Sequence, residues 1–389
     1  MKEFFKDNKV ILLLILLLGL GLRLWNLNRP EGIWNDEYVT YSISMLQFPF
    51  EFFESLKTNS HAPLHYFYLK LWTLVFRNSD FMLRLSSLVP NLLGCLVMYF
   101  AGKNYQSKDN SVKIGLCCAT IGAISSFLIY FSQEVRIYSM IFLLTSLILL
   151  FSIKMYNAPC RKYALWVSFL SILLILEHTI GLVFVIFNTF GLIAFRQKQK
   201  KKKEGDKLIP IVAGLILCLP LIPFLFRIFA HPTYVSRWWS PFNWSKICFF
   251  FTDLFSPVLK NITSTPLNFY NQIIQNDVIN IGFVLFAVIP AGIALWLIIK
   301  SNMESKRINK YFLSVFLATF LTILITAITG KMTFLTKYLT ELYPILILMT
   351  GIGWAEINSQ NTRITLATVY IFMSLFFIII SHTTAIHLV

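Results

Sequence analysis

The sequence predicts an all-α polytopic membrane protein, and three observations support this fold class. Hydrophobic residues make up 57% of the 389 residues, charged residues only 13%, and the mean hydropathy is +0.68. Soluble domains carry about 25% charged residues, so this composition excludes an ordinary soluble domain. In addition, apolar runs of near-spanning length recur along the chain, and Lys and Arg collect in alternate connecting segments.

About eleven apolar segments are predicted to be transmembrane helices, since a helix needs about 20 residues to cross a hydrocarbon core about 30 Å thick. They lie at about 10–25, 82–102, 114–131, 137–153, 163–176, 179–195, 208–229, 278–299, 311–328, 338–354 and 364–381. The segment 61–76 is apolar but short, begins with His61 and contains Lys70. We expect a partial helix there in the outer leaflet. The first outer segment, 26–81, is therefore predicted to contain juxtamembrane helices.

The distribution of positive charge predicts the orientation, because Lys and Arg concentrate in cytoplasmic loops. With the N-terminus inside, 21 of the 34 Lys and Arg residues fall in short cytoplasmic segments. Counting 61–76 as a full span would place the run Lys200–Lys203 outside, so we prefer the topology with eleven helices. The net charge of +16 then follows from topology and gives no indication of nucleic-acid binding. We expect an integral protein of the plasma (inner) membrane, with membrane lipids as its surroundings.

The domain organisation is predicted to be simple. We expect residues 1–389 to form a single transmembrane domain with no separate soluble domain, and we interpret the long outer segment 230–277 as an interfacial aromatic belt and a lid. The six cysteines lack the paired spacing of a zinc site, and no Gly-rich phosphate loop is present. No cofactor is predicted, and the sequence leaves the need for a divalent metal open.

Polar residues with the potential for chemistry gather on the predicted outer side. The acidic pair Asp36-Glu37 follows the first span, where Asn35 is expected to cap a surface helix. Ionised groups near a bilayer are costly and usually functional, so the clustering predicts a site open to the outside. The other members of this group are His61, Glu134, Arg136, Glu177, His178 and Lys337.

Two pairs of these residues can face a common site only if the local structure allows it. In a continuous helix, Glu134 and Arg136 would point about 200° apart, so only an irregular turn lets both face one pocket. The span 163–176 is about 21 Å long, shorter than the hydrocarbon core, which would draw Glu177 and His178 below the outer surface. Buried polar neighbours of this kind usually line a cavity or pair with each other.

Several short motifs, taken together and in order, resemble the GT-C membrane glycosyltransferases. Within that superfamily the sequence is most similar to the protein O-mannosyltransferases (glycosyltransferase family 39) and the lipid A aminoarabinose transferases. The motifs are Asp36-Glu37, His61-Ala62-Pro63-Leu64, Arg84-Leu85-Ser86, Gln133-Glu134-Val135-Arg136-Ile137-Tyr138, and Lys337-Tyr338-Leu339 followed by Pro344. The chain departs from the pattern at Ala62, where a second Pro is frequent, and at Lys337, where Arg is common.

The resemblance implies a GT-C-type fold and a sugar donor carried on a polyprenyl phosphate. The sugar would be transferred on the extracytoplasmic face, with inversion, to the hydroxyl of a lipid, glycan or protein acceptor. Asp36 would be the catalytic base, with Glu37 supporting it. Donor phosphate binding is expected from His61, Arg136, Lys337 and Tyr338, with Arg136 the first choice because guanidinium suits phosphate. The substrate or acceptor cavity is expected to contain Glu134, Tyr138, His178 and Arg237.

Two other classes of protein remain open. A lipid-linked sugar transporter or flippase would also span the membrane many times, but such proteins usually show repeated halves, and no repeat is visible here. A polysaccharide polymerase or ligase is also multi-spanning and outward-facing. That class does not require an acidic pair after the first helix, so the pair favours glycosyl transfer.

Overall fold

The structure is a computed structural model, and the part of the chain that it describes consists mainly of helices joined by short turns. It describes residues 7–25, 27–28, 32–56, 62–105, 110–195, 307–330 and 334–357, with single positions between 292 and 299 and between 359 and 372. Within these residues there is no strand, as the sequence predicts. The expected fold class, an all-α membrane protein, is therefore confirmed.

Twelve α-helices and one 3-10 helix occur in the described residues. They are α1 (Asn8–Leu24), α2 (Asn35–Met45), α3 (Phe50–Leu56), α4 (Leu64–Val75), α5 (Asp80–Tyr105), α6 (Ser111–Ile124), α7 (Ser126–Ser132), α8 (Tyr138–Asn157), α9 (Arg161–Glu177), α10 (Gly181–Phe195), α11 (Arg307–Ile328), the 3-10 helix (Thr336–Leu342) and α12 (Tyr343–Ala355). Eight of the predicted spans coincide with these helices. The segments 208–229, 278–299 and 364–381 lie wholly or mostly outside the described residues.

Four helices of the described residues are long and apolar enough to cross a membrane. They are α5, α8, α11 and the 3-10 helix continued by α12. A fifth span is present if α6 and α7 are counted together, although the two are bent by 56° relative to each other. The apolar run 114–131 is therefore a broken helix, with Ser125 in extended conformation at the break (φ −62°, ψ 117°).

Arg23, near the end of α1, fills this break. Its guanidinium donates to the carbonyl oxygens of Ala123 at 2.8 Å and Gly122 at 3.0 Å, and twice to Asn91 Oδ1. These carbonyls lie in the last turn of α6, where the helix leaves them without partners of its own. A fully buried arginine thus satisfies a helix end inside the protein and joins α1, α5 and α6.

The helix α5 lies at the centre of the bundle, in contact with α1, α4, α6, α7, α8 and α12. Its approach to α6 depends on glycine, because a Cβ on Gly115 would lie 2.6 Å from the carbonyl oxygen of Tyr99. Small residues allow helices to pack closely in membranes, where burial alone does not drive association. This contact holds α6 and its break at a fixed distance from the core.

The first loop, predicted to be outside, contains the short helices α2, α3 and α4. At 12 residues, α4 spans only about 18 Å, so it is a partial helix as expected. Lys70 of α4 donates to the carbonyl oxygen of Leu46 at 2.6 Å, which fixes the end of α2. One local prediction was wrong: Trp34 occupies the cap position of α2, and Asn35 is its first residue.

Candidate active site

Glu37 of the acidic pair is buried, and both of its carboxylate oxygens accept hydrogen bonds from the protein backbone. Its Oε1 accepts from the backbone N–H of Val135 at 2.7 Å, and its Oε2 accepts from that of Trp34 at 3.0 Å. A guanidinium nitrogen of Arg84 lies 3.7 Å from the same Oε2. Glu37 therefore joins the start of α2 to the turn before α8, which is a structural role.

Asp36 lies one residue earlier and faces the other way, because successive helical residues are turned by about 100°. Its side chain is 39% exposed, whereas that of Glu37 is 1% exposed. One Asp36 carboxylate oxygen lies 3.6 Å from a guanidinium nitrogen of Arg136. Asp36 is thus an accessible carboxylate beside a buried cation.

Arg136 is held in place by backbone and hydroxyl groups of α2. It donates to the backbone carbonyl of Asp36 and to Oγ1 of Thr40, each at 2.9 Å. Thr40 in turn donates to the same carbonyl at 2.8 Å. The guanidinium therefore connects the turn before α8 to the first turns of α2 and sets the position of Asp36.

Residues 133–137 form the irregular turn that the sequence requires, between the end of α7 and the start of α8. The Arg136 N–H donates to the carbonyl of Glu134 at 2.8 Å, and Glu134 itself is buried. Gln133 donates to the carbonyls of Arg23 and Trp25 at 3.0 and 2.7 Å. The end of α1 therefore anchors the turn that carries Glu134 and Arg136.

Lys337 and Tyr338 of the 3-10 helix lie near this turn. The Lys337 ammonium lies 5.9 Å from the ring centre of Tyr138 and 5.8 Å from that of Tyr338. Lys337 also interacts electrostatically with Arg136 and Glu134. The buried Tyr138 hydroxyl has no hydrogen-bond partner among the described residues. Two cations and two phenols thus lie close together beside Asp36.

The electrostatic surroundings of Glu37 differ from those of a free glutamate. Burial raises the pKa of Glu37, and the nearby charge of Glu134 raises it further. The Val135 N–H, the Arg84 charge and the Trp34 N–H act in the opposite direction without cancelling the rise. The carboxyl of Glu37 therefore holds its proton more tightly than an exposed glutamate does.

The neighbours Glu177 and His178 were expected either to line a cavity or to pair with each other. In the structure they do not pair with each other, and each has a partner elsewhere in the chain. Glu177 Oε1 lies 3.0 Å from Nδ1 of His65, at the start of α4. His178 Nδ1 is hydrogen-bonded to Glu341 of the 3-10 helix, and its ring centre lies 6.1 Å from that of Tyr338. All four side chains are buried.

Sequence reasoning missed His65 and Glu341, and it placed Glu177 in the outer group of polar residues without giving it a role. Histidine at the start of α4 and glutamate in the 3-10 helix were visible as polar residues in apolar surroundings. Their partners are 112 and 163 residues away in the chain, which no local spacing indicates.

Some predicted positions cannot be placed. His61, Arg237 and the predicted lid at 230–277 lie outside the described residues. Among the residues that are described, no three His, Cys, Asp or Glu side chains are grouped in a way that can hold a metal ion.

The fold is similar to that of several solved membrane proteins. ArnT from Cupriavidus metallidurans, in the apo state, matches with a TM-score of 0.59 and 13% identity over 91% of this chain. The oligosaccharyltransferase of Archaeoglobus fulgidus in complex with Zn and sulfate matches with a TM-score of 0.56 and 12% identity over 95% of this chain. The same protein, as AglB with an inhibitory peptide and a dolichol-phosphate, matches with a TM-score of 0.53 and 10% identity over 98%.

This chain spans 61% of the ArnT chain and 52 to 56% of the oligosaccharyltransferase chains. No protein-family model and no curated protein sequence matches it. At 10 to 13% identity, the similarity shows the fold alone, and one fold can carry sites of different chemistry.

Proposed function

We propose that this chain, which has the GT-C membrane fold also found in ArnT and AglB, is a membrane glycosyltransferase. It would move a sugar from a polyprenyl-phosphate donor to an acceptor hydroxyl on the extracytoplasmic face, with inversion. ArnT is a lipid A aminoarabinose transferase, and a structure of AglB has been solved in complex with an inhibitory peptide and a dolichol-phosphate. Those facts concern the two similar proteins and support a lipid-phosphate donor here.

The observation that carries the proposal is the different environment of the two adjacent carboxylates. Glu37 is buried and its oxygens are taken by backbone N–H groups, whereas Asp36 is accessible. A general base must reach the proton that it removes, and only Asp36 of the pair can do so. A purely structural acidic pair would not need one member held open beside a buried guanidinium.

The chemistry assigns one task to each group. The acceptor oxygen attacks C1 of the sugar while the bond between C1 and the phosphate oxygen breaks, and the phosphate leaves with the bonding electrons. The hydroxyl proton passes to Asp36. Attack from the face opposite the phosphate inverts the configuration at C1.

The leaving phosphate needs positive charge more than it needs a proton. Arg136 is already committed to the Asp36 carbonyl and to Thr40, so its contacts favour positioning of Asp36 over a free grip on phosphate. No carboxylate pairs directly with Lys337 among the described residues. Lys337 is therefore the better candidate to bind the donor phosphate, with Tyr338 and Tyr138 as hydroxyl donors and Arg136 adding charge nearby.

The test is to incubate the purified protein with a panel of undecaprenyl-phosphate sugars and to measure release of free undecaprenyl phosphate and labelling of an acceptor. Asp36→Asn should lower the turnover by at least about 100-fold, the usual contribution of a general base. Binding of the donor should persist, because the contacts of Arg136 and Thr40 to residue 36 involve its backbone carbonyl.

Glu51→Gln is the matched control, since Glu51 is an exposed carboxylate on α3. It should leave turnover unchanged. Near-normal turnover of Asp36→Asn would contradict the assignment of Asp36 as the general base. Movement of the intact donor across the membrane without cleavage of the sugar–phosphate bond would show a transporter instead.

A further inference from the structure

Two buried pairs of histidine and glutamate lie beside the site without a role in the proposed proton transfer. His65 pairs with Glu177, and His178 pairs with Glu341. Because Glu177 and His178 are consecutive, the two pairs meet at the junction of α9 and α10, and Glu177 also interacts electrostatically with His178. The result is one buried group of two imidazoles and two carboxylates, which we call the His-Glu cluster.

The His-Glu cluster has unused hydrogen-bonding capacity. Within the described part of the chain, His65 Nε2, Glu177 Oε2 and Glu341 Oε2 are buried and have no hydrogen-bond partner. A buried polar atom without a partner costs about 1–3 kcal/mol, and most such atoms in proteins are satisfied. In each pair the carboxylate holds Nδ1, so the imidazole is oriented and the second oxygen of each glutamate remains available.

The cluster adjoins the residues that are proposed to hold the donor phosphate. The His178 ring centre lies 6.1 Å from that of Tyr338. Tyr338 interacts electrostatically with Tyr138, Lys337, Arg136 and Asp36. Tyr338 therefore connects the residues of the proposed phosphate site to the His-Glu cluster.

The chemistry of the cluster selects among the parts of a lipid-phosphate sugar. The unused glutamate oxygens accept hydrogen bonds, and an ionised phosphate diester has no hydrogen to donate to them. A polyprenyl chain has no hydrogen-bond donors to offer the unused oxygens. A sugar ring presents several hydroxyls, each of which donates one hydrogen bond and accepts others.

We propose that His65, Glu177, His178 and Glu341 bind the hydroxyls of the donor sugar ring. This inference rests on the proposed function, and it adds the part of the substrate that this cluster recognises. The site then has three regions, with Asp36 at the acceptor, Lys337 at the phosphate and the His-Glu cluster at the sugar.

Two ligands that differ only in the sugar test the proposal. Binding to the purified protein is measured for undecaprenyl phosphate and for undecaprenyl phosphate carrying mannose, glucose, galactose or arabinose, and the sugar bound most tightly is used for the variants. Glu341→Gln and His65→Gln should each weaken binding of the sugar-bearing lipid about tenfold, the size of one lost hydrogen bond to a charged group. Their affinity for undecaprenyl phosphate should not change.

Two further variants serve as controls, one at the proposed phosphate site and one at a buried hydroxyl away from the cluster. Lys337→Ala should weaken binding of both lipids, because both carry the phosphate. Tyr311→Phe removes a buried hydroxyl that bonds Asn188 between α10 and α11, and it should change neither affinity. Unfolding temperatures show whether each variant is folded.

If Glu341→Gln and His65→Gln weaken the binding of both lipids equally, or weaken neither, the sugar site is refuted and the proposed function is not. A wild-type protein that binds neither lipid would refute the proposed function and the sugar site with it. The two failures are therefore distinguishable.

Discussion

At the residue scale, Asp36 and Glu37 have the same charge but different surroundings. The first turn of α2 directs Glu37 towards the Val135 N–H and leaves Asp36 open beside Arg136. The proximity of the buried Glu134 adds repulsion at Glu37, so its pKa rises although three groups stabilise its charge. This division makes the stability of the protein depend on the ionisation of Glu37, whereas the proposed catalysis depends on Asp36.

The raised pKa of Glu37 predicts a loss of stability with rising pH. Well below the ordinary glutamate pKa of about 4.3, the group is protonated in both the folded and the unfolded state. As the pH rises past this value, the unfolded chain loses the proton first, so the free energy of unfolding falls until the folded protein also ionises. The wild type should therefore lose stability relative to Glu37→Gln as the pH rises from about 4.3 towards neutral.

The measurement is the unfolding temperature of both proteins in one detergent over this pH range. The comparison with Glu37→Gln removes the contributions of all other titrating groups that the two proteins share. A difference between the two proteins that stays constant, or that favours the wild type more strongly at higher pH, would contradict the assignment.

At the element scale, the break between α6 and α7 depends on a residue from another helix. The guanidinium of Arg23 binds the carbonyls of Gly122 and Ala123 and the side chain of Asn91, all inside the protein. Among its described contacts there is no carboxylate, so the cation serves the helix end and the carbonyl dipoles.

Arg23→Leu should destabilise the fold by about 3 kcal/mol or more, because it leaves two buried carbonyls and Asn91 without donors. Arg77→Leu is the matched control, since Arg77 is exposed, and it should change stability by less than about 0.5 kcal/mol. Chemical unfolding in detergent measures both. Equal stability of the two variants would show that the break does not need its arginine.

The contact between α5 and α6 gives a second prediction at this scale. A methyl group on Gly115 would lie 2.6 Å from the Tyr99 carbonyl oxygen, whereas one on Gly21 of α1 would meet no atom within 4 Å. Gly115→Ala should therefore destabilise the protein by about 1–3 kcal/mol through overpacking. Gly21→Ala should be neutral or slightly stabilising, because Ala favours the helix. Unfolding measurements that rank the two variants in the opposite order would contradict the close approach of α5 and α6.

At the scale of the whole molecule, the candidate site is built from segments far apart in the chain. The start of α2, the turn before α8, the junction of α9 and α10 and the 3-10 helix meet at one place. The charge distribution predicts that this place faces outward and that the basic run 196–207 is cytoplasmic.

A cysteine at position 201 tests this topology in intact cells. Lys201→Cys should resist a membrane-impermeant thiol reagent added from outside, and Ser79→Cys, at an exposed position in the first loop, should react. Lysis should make both accessible. Labelling of Lys201→Cys in intact cells would reverse the predicted orientation and place the site inside.

The sequence by itself determined the membrane class, the approximate bounds of the eight predicted spans that the structure describes, and the need for an irregular turn at 133–137. These properties are local: hydropathy sums over neighbouring residues, and helix geometry fixes which residues share a face. The resemblance to GT-C proteins likewise rests on short motifs of neighbouring residues, which can be recognised in the sequence without the fold. Asp36, Arg136, Lys337, Tyr338 and Tyr138 were all singled out from the sequence, and they lie together in the structure.

Only the tertiary structure decided which partners these residues have. It paired Glu177 with His65 and His178 with Glu341, buried Glu37 while leaving Asp36 open, and assigned Arg23 to the break in a helix. These long-range contacts join residues between 98 and 163 positions apart. Their geometry follows from how whole helices pack, because helix packing sets which buried polar groups meet, and no pattern of neighbouring residues contains that information.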